Sequence, residues 1–175
     1  MKKKERLTAY QYLLKDKLSG DKNRELIALL KDIKLAGRQV AKELNSATLN
    51  NTIGEMYGKK NTHGEDVKKL DIVANNLFIQ SLENGGNCAG IVSEEKEKVL
   101  IFNNEVSRNS KYLVCIDPLD GSTNIDVNVP VGTIFSVLKR PSLGDKTFSK
   151  DFLQIGSKQV AAGYIIYLSS TIYLL

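Results

Sequence analysis

Apolar side chains recur every three or four residues in two stretches of the chain, a spacing typical of one face of an amphipathic helix. The first stretch predicts a helix over about residues 22–44, and the second predicts one over about residues 65–83. We expect the inner face of the first helix to carry Leu26, Leu30, Ile33, Gly37, Val40 and Leu44. We expect the inner face of the second helix to carry Leu70, Val73, Leu77 and Ser81. Gly37 is small rather than apolar, which predicts a close crossing with another helix there.

Short apolar runs bounded by polar residues predict strands in the rest of the chain. The expected strands cover residues 88–92, 99–102, 111–116, 131–138 and 159–167. Residues 45–64 and 140–158 are polar and predict irregular connections. Because the helices come first and the strands mostly later, we expect an α+β, layered α-β fold in which long helices pack on a mixed β-sheet.

Composition places the chain among ordinary globular proteins. It has 175 residues, 42% of them hydrophobic and 26% charged, which is enough for one domain with a proper core. No apolar run is long enough for a transmembrane helix, and the lysine-rich start lacks the apolar region of a signal peptide. We therefore expect a cytoplasmic protein that does not bind a membrane.

The net charge of +5 is partly concentrated at the start of the chain. Such a cluster can contact nucleic acid or acidic lipid. No nucleic-acid motif accompanies it, so we expect residues 1–18 to form a flexible, solvated basic segment and no nucleic-acid partner. Cys88 and Cys115 are expected to be reduced core residues. His63 is the only histidine, which excludes a His-based triad or a multi-histidine metal site.

The predicted strand 111–116 runs directly into the most distinctive stretch of the sequence, Asp117-Pro118-Leu119-Asp120-Gly121-Ser122-Thr123-Asn124-Ile125-Asp126. Pro118 cannot donate a ladder hydrogen bond, so we expect the chain to leave the sheet there. Carboxylates as close as Asp117 and Asp120 repel unless a cation lies between them, and Mg²⁺ prefers such ligands. Gly121-Ser122-Thr123 resembles the start of a helical turn, whose free N–H groups favour an anion. The stretch indicates a metal-dependent phosphate enzyme, with an ordinary Asp-capped turn as the alternative.

Further carboxylates follow other predicted elements. Glu94 and Glu95 end a strand, as Asp117 does, and neighbouring strands would bring them together. Asp71 lies on the second predicted helix, and Glu65 lies near its start. The alternatives are a helix cap for the helical acids and a solvated loop for the two glutamates.

These motifs together resemble a known family. The stretch from Asp117 to Asp126, followed by Val131-Gly132-Thr133-Ile134-Phe135-Ser136, resembles the signature of class 1 fructose-1,6-bisphosphatases, within the Mg²⁺-dependent, Li⁺-sensitive phosphatase superfamily. The segments 64–71 and 93–95 are similar to two others of that family. The match begins near residue 19 and covers the first half of the family. It implies that residues 19–175 form the metal- and AMP-binding domain, the N-terminal half of the sugar phosphatase fold, without the sugar-binding domain. We then expect strand 159–167 to form an exposed sheet edge.

The resemblance also implies roles for individual residues. The implied metal ligands, for two or three Mg²⁺ ions with Mn²⁺ or Zn²⁺ as alternatives, are Glu65, Glu94, Asp117, Asp120 and the carbonyl of Leu119. The residues implied to position or deprotonate the attacking water are Asp71 and Glu95. The residues implied to hold the substrate phosphate are Asp120, Gly121, Ser122 and Thr123. The residues implied to bind AMP are Ser19, Gly20, Lys111 and Tyr112.

The implied activity is hydrolysis of the 1-phosphate of fructose 1,6-bisphosphate to fructose 6-phosphate, a step of gluconeogenesis. The resemblance further implies a homo-oligomer, a tetramer in the family. Two alternatives stay open, which are a phosphatase of sedoheptulose 1,7-bisphosphate and a non-catalytic module that binds metal and AMP. Because the resemblance covers only half of the family's length, it implies the identity of the domain more directly than it implies activity of this chain alone.

Overall fold

A computed structural model of the chain describes residues 24–49, 56–60, 66–123, 129–141, 146–168 and 170–175. The helices are α1 (Arg24–Leu49), α2 (Lys69–Gly85) and the short α3 (Glu105–Arg108), with 3₁₀ turns at Ser149–Phe152 and Gly156–Lys158. The strands are β1 (Met56–Lys60), β2 (Asp66–Lys68), β3 (Gly90–Ser93), β4 (Leu100–Ile101), β5 (Tyr112–Asp120), β6 (Val131–Lys139), β7 (Gln159–Tyr167) and β8 (Thr171–Leu174).

Six of these strands form one mixed sheet in the order β4-β3-β5-β6-β7-β8. Strands β3 and β5 run parallel, and every other neighbouring pair in this sheet is antiparallel. Helices α1 and α2 pack on each other, and α2 contacts strands β3 and β5 while α1 contacts β8. The expected fold, long helices packed on a mixed sheet, is confirmed.

The main core lies between these helices and the sheet face beneath them. Strand β6 shows the period of two that this requires, because Val131, Thr133, Phe135 and Val137 are all buried there. On α1, the apolar stripe predicted from the sequence is buried at Leu26, Leu30, Ile33, Val40 and Leu44. The close helix crossing predicted at Gly37 was wrong in its partner, because the element that approaches is strand β7: an added Cβ at Gly37 would overlap the side chain of Ile165.

The face of α2 differs from the prediction. The helix begins at Lys69 rather than near residue 65, and its buried positions are Leu70, Asp71, Ala74, Asn75, Phe78 and Leu82. Val73, Leu77 and Ser81 are only partly buried. The prediction was correct at Leu70, but each later buried apolar position lies one residue further along the helix than predicted. Two of the buried residues, Asp71 and Asn75, are polar, and this interrupts the apolar pattern that the prediction followed.

Three other predictions about chain segments were wrong in part. The stretch 45–64 is not irregular throughout, because α1 continues to Leu49 and β1 pairs with β2. Strand β5 does not end before Pro118 but continues to Asp120, with a register shift between Asp117 and Asp120. Strand β7 is not a sheet edge, because β8 pairs with it along its second half.

The other face of the sheet is covered only in part. A small cluster of Ala89, Leu113, Leu138 and Phe152 is buried at one end. Towards β8, the side chains of Ile134, Tyr164, Ile172 and Leu174 are each 40% to 51% exposed, and we call these four residues the outer apolar face.

Two smaller findings complete the fold. Cys88 is buried and Cys115 half-buried, and both are free thiols, as expected. None of the helices in the described ranges has the length and apolarity needed to span a membrane.

Candidate active site

The site begins where two parallel strands end side by side. Strands β3 and β5 are in register at Ser93 and Ile116, and the next residue, Glu94, donates its backbone N–H to the Ile116 carbonyl at 3.0 Å. Glu94 is therefore held beside Asp117, the residue that follows Ile116. The sequence predicted this meeting on the condition that the two strands are neighbours, and the pairing confirms it.

Helix α2 is attached to the same strand end by buried polar side chains. The Ser93 hydroxyl donates to Asn75 Oδ1 at 2.7 Å and accepts from the backbone N–H of Glu95 at 3.3 Å. We call this pair of bonds the Ser93 latch. Asp71 lies one helical turn before Asn75 and is only 2% exposed, so the latch holds it close to Glu95.

The acidic groups perturb one another strongly. The pKa of Glu95 is raised to about 8, chiefly by burial and then by the charges of Asp71, Glu94 and Asp117. The pKa of Asp117 is likewise raised to about 6, chiefly by burial, with the charges of Asp120, Glu94 and Asp71 acting in the same direction. The N–H of Leu119 donates to Asp117 Oδ1 at 3.1 Å and partly offsets this rise. We call Asp71, Glu94, Glu95, Asp117 and Asp120 the acidic cluster.

A bulge sets the positions of the two aspartates on β5. The register shift falls between Asp117 and Asp120. Pro118 lies between these two residues and cannot donate a hydrogen bond to the neighbouring strand. Thr133 on β6 donates its hydroxyl to the Pro118 carbonyl at 2.8 Å, and its oxygen lies 2.6 Å from the hydroxyl of Tyr167. Thr133 is fully buried, so these contacts fix the bulge from inside the core.

The predicted phosphate-binding residues follow the bulge directly. Asp120 is exposed, Gly121 has the positive φ of 79°, and Ser122 and Thr123 begin a 3₁₀ turn. Few residues other than glycine adopt such a φ without strain, which explains glycine at this turn. The side chain of Leu119 is 4% exposed and anchors the turn in the core. A cavity of about 330 Å³ lies beside Asp120 and Gly121.

The metal-binding prediction is supported by the chemistry of the donors rather than by their arrangement. Carboxylate oxygens that raise one another's pKa suit a hard divalent cation. Within the described ranges, however, no group of three or more His, Cys, Asp or Glu side chains is arranged so that it could hold a metal ion. Glu65, one of the predicted ligands, lies outside the described residues.

The residues expected to bind AMP lie at another part of the fold. Lys111 Nζ forms an ion pair with Glu25 Oε1 at 2.7 Å, which joins the start of β5 to the first turn of α1. Tyr112 is 7% exposed and lies next to this ion pair. Ser19 and Gly20 lie outside the described residues.

Sequence reasoning missed the residues that position the site. Asn75, Ser93, Thr133 and Tyr167 carry no charge, and sequence reasoning gave none of them a role, although Ser93 and Thr133 lie within the motifs that it quoted. A signal was nevertheless present, because Thr133 stands among apolar residues at every second position of β6. A polar residue in such a pattern indicates a buried hydrogen bond.

A larger cavity, of about 890 Å³, lies next to the acidic cluster on the outer side of the sheet. Glu94 and Asp117 line one end of it, and Ile134, Tyr164 and Leu174 of the outer apolar face line the other. The acidic cluster thus opens onto a space large enough for a small molecule.

Long helices on one face of a mixed sheet, with carboxylates gathered where two parallel strands end, define a domain of the sugar phosphatase fold class. The family model described as "Fructose-1-6-bisphosphatase, N-terminal domain" matches residues 8–175. The chain therefore belongs to the fructose-1,6-bisphosphatase family and corresponds to its N-terminal domain.

A solved structure agrees with this assignment. The crystal structure of Leishmania major fructose-1,6-bisphosphatase in holo form matches with a TM-score of 0.81 and 30% sequence identity. The match covers 94% of this chain and 50% of that one, so the chain spans half the length of the Leishmania structure.

Proposed function

We propose that the protein provides the catalytic site for Mg²⁺-dependent hydrolysis of the 1-phosphate of fructose 1,6-bisphosphate, giving fructose 6-phosphate in gluconeogenesis. The observation that carries this proposal is the gathering of Asp71, Glu94, Glu95 and Asp117 where β3 and β5 end. Family membership supports the same reaction, because the matched Leishmania protein is named for it.

Divalent cations are the cofactors that the acidic cluster suits best. Crowded carboxylates with raised pKa values gain from a cation that neutralises them. We assign the metal-binding oxygens to Glu65, Glu94, Asp117, Asp120 and the carbonyl of Leu119. Two or three Mg²⁺ ions, or Mn²⁺ or Zn²⁺ in their place, would supply charge neutralisation for the phosphate and an acidified water.

The protein's own residues then bind and orient the reactants. Asp71 and Glu95 are assigned to the attacking water, which they hold in line with the departing sugar oxygen and whose proton they accept. The Ser93 latch supports this role because it fixes both carboxylates relative to β3. The phosphate is assigned to Asp120, Gly121, Ser122 and Thr123, because the start of a helical turn favours an anion.

An assay of the gene product tests the proposal. Phosphate release from fructose 1,6-bisphosphate should require Mg²⁺ and should fall at least about a thousandfold in Asp117→Asn, in keeping with the loss of one key charge at a catalytic centre. The control Glu105→Gln removes an exposed carboxylate on α3 and should retain full activity. Parallel assays with sedoheptulose 1,7-bisphosphate identify the preferred sugar. Absence of Mg²⁺-dependent release from both sugars would refute the enzymatic proposal.

A regulatory role for AMP is the second proposal, within a metal- and AMP-binding domain formed by residues 19–175. The observation that favours it is the ion pair between Lys111 and Glu25, which brings the cation and Tyr112 to the first turn of α1. A nucleotide phosphate at this point would compete with Glu25 for Lys111. Calorimetry with AMP should give binding that Lys111→Gln weakens, whereas equal binding of an unrelated nucleotide would argue against the proposal.

Assembly and location complete the proposed function. We assign the protein to the cytoplasm as a homo-oligomer, tetrameric in the family, in keeping with its membership of a carbohydrate-metabolism family. Light scattering of the purified gene product measures the assembly, and a monomer at all concentrations would contradict it.

A further inference from the structure

A second concave surface lies on the helix-bearing side of the sheet, between α1 and β8. Its cavity has a volume of about 490 Å³, and we call it the α1–β8 groove. Its polar lining residues are Lys34, Arg38, Lys42, Asn45, Thr171 and Tyr173. No residue of the acidic cluster lines the groove, and neither Lys111 nor Tyr112 does.

The groove concentrates positive charge on one side. Lys34, Arg38 and Lys42 follow each other at intervals of four on α1, so they lie on one face of the helix, about 6 Å apart along its axis. All three are exposed, and among the described residues no Asp or Glu lines the groove with them. Like charges at this spacing repel each other, and an anion between them removes that repulsion.

The opposite wall supplies a buried hydrogen-bond donor. The hydroxyl of Tyr173 is buried, and within the described part of the chain it makes no hydrogen bond. The Tyr173 ring stacks on Phe135 with centroids 5.8 Å apart, which fixes the direction of the hydroxyl. Burial raises the pKa of Tyr173, so the group keeps its proton and is able to donate.

Strand geometry places further donors beside it. Thr171 pairs with Tyr167 and Tyr173 pairs with Ile165, so both side chains on β8 point towards the helix side of the sheet. The Asn45 amide lies on α1 one turn beyond Ala41. The groove therefore presents cations, hydroxyls and an amide around an apolar floor that includes Ile165.

We propose that the α1–β8 groove binds a small, multiply charged anion of the phosphate-ester class. Lys34, Arg38 and Lys42 neutralise its charge, and the Tyr173 hydroxyl donates a hydrogen bond to one of its oxygens. A concave site with a buried donor suits a small ligand better than a nucleic acid, which requires an extended basic surface. This site is independent of the proposed phosphatase activity.

Calorimetric titration with pyrophosphate, in the presence of a chelator, tests the proposal. The chelator removes divalent cations, without which the acidic cluster repels the probe. We expect wild-type protein to bind, Arg38→Gln to weaken binding about tenfold, and Tyr173→Phe to weaken it about threefold or more. Lys158→Gln removes an exposed cation that does not line the groove, and it should change the affinity less than about twofold.

Three results would overturn the proposal. One is a wild-type protein that does not bind pyrophosphate, and another is a loss in Lys158→Gln as large as that in Arg38→Gln. The third is a DNA duplex that competes with pyrophosphate and loses affinity in Arg38→Gln, which would reassign the surface to nucleic acid. Thermal melts of each variant check folding, and Tyr173→Phe retains the ring that packs on Phe135.

Discussion

At the scale of single residues, Asp117 combines burial with the charges of three acidic neighbours. It lies half-buried among like charges, and its pKa is raised to about 6, above its ordinary value of 3.8. Its negative charge at neutral pH therefore opposes folding in the metal-free protein. The Leu119 N–H that donates to Asp117 Oδ1 can donate equally to an asparagine oxygen in the same place.

We therefore expect Asp117→Asn to leave the metal-free free energy of unfolding unchanged or to raise it by up to about 1 kcal/mol. Added Mg²⁺ should stabilise the variant less than the wild type, because a ligand stabilises only as far as it binds the native state. Thermal melts with and without Mg²⁺ measure both effects. A loss of about 3–5 kcal/mol in the metal-free variant, the range for breaking a buried network, would make Asp117 a structural residue instead.

Glu95 gives the protein a dependence on pH with a defined sign. Its pKa rises from an ordinary value of 4.5 to about 8, so the folded state holds the proton that the unfolded state releases. The stability contributed by protonated Glu95 is fully present below pH 4.5 and is lost as pH rises through about 8.

In a chelating buffer, Glu95→Gln should thus be more stable than wild type at pH 9, by on the order of 1 kcal/mol, since the half-buried group is partly screened by solvent. The difference should vanish at pH 4. Denaturant unfolding of both proteins across this range measures it, and a difference independent of pH would contradict the assignment.

At the scale of elements, the contact between α2 and β3 brings the acidic groups together. The Ser93 latch joins the buried Asn75 of the helix to the strand end that carries Glu94 and Glu95. Removing the Ser93 hydroxyl leaves a buried amide oxygen without its donor.

Ser93→Ala should cost about 1–3 kcal/mol of stability and should lower phosphatase activity through the misplacement of Glu95. The matched variant Ser81→Ala removes a hydroxyl on α2 instead. That hydroxyl donates to the Asp32 carbonyl at 2.9 Å, away from the acidic cluster. It should lose some stability but retain activity per folded molecule. Equal losses of specific activity in the two variants would show that the latch does not position the site.

The elements also show what the sequence can and cannot predict. Helix α1 was predictable because its apolar stripe from Leu26 to Leu44 is regular. The buried face of α2 was misplaced because Asp71 and Asn75 occupy core positions that a hydrophobic pattern assigns to solvent. The prediction ended strand β5 too early, because it took Pro118 to interrupt the pairing of the strand. In the structure a bulge accommodates Pro118, and the Thr133 hydroxyl holds this bulge through the Pro118 carbonyl.

Site residues followed a similar rule. The meeting of Glu94 with Asp117 was predictable because both carboxylates directly follow predicted apolar strands. Asn75, Ser93 and Tyr167 act through hydrogen bonds between elements distant in the chain, and a single sequence does not specify such contacts. Strand β8, which sequence reasoning did not predict, is a short four-residue strand that pairs with β7.

At the scale of the whole molecule, the sheet is covered unequally. Helices bury one face, while the outer apolar face leaves Ile134 51% exposed and Leu174 40% exposed. Exposed apolar side chains that lie together bind other apolar groups.

We expect the protein to bind the dye 8-anilinonaphthalene-1-sulfonate in its native state, and the double variant Ile134→Thr, Leu174→Thr to bind much less of it. Because these side chains are already partly in solvent, stability should change by less than about 1 kcal/mol. Leu153→Thr, an 86% exposed leucine outside this face, serves as the control. Fluorescence titration measures the binding, and equal dye binding by all three proteins would contradict the expectation.

The parallel pairing of β3 with β5 has a consequence for folding kinetics. Strand β4 and helix α3 separate these two strands in the chain, so their pairing requires a crossover, and its loop-closure entropy opposes early formation. Strands β5 to β8 are instead neighbours both in sequence and in the sheet.

We expect the transition state to contain these four strands while the carboxylates at the ends of β3 and β5 are still apart. Relief of repulsion in Asp117→Asn should then slow unfolding and leave the folding rate unchanged. Stopped-flow measurement of both chevron arms tests this order, and a faster folding arm would mean that the acidic groups meet before the barrier is crossed.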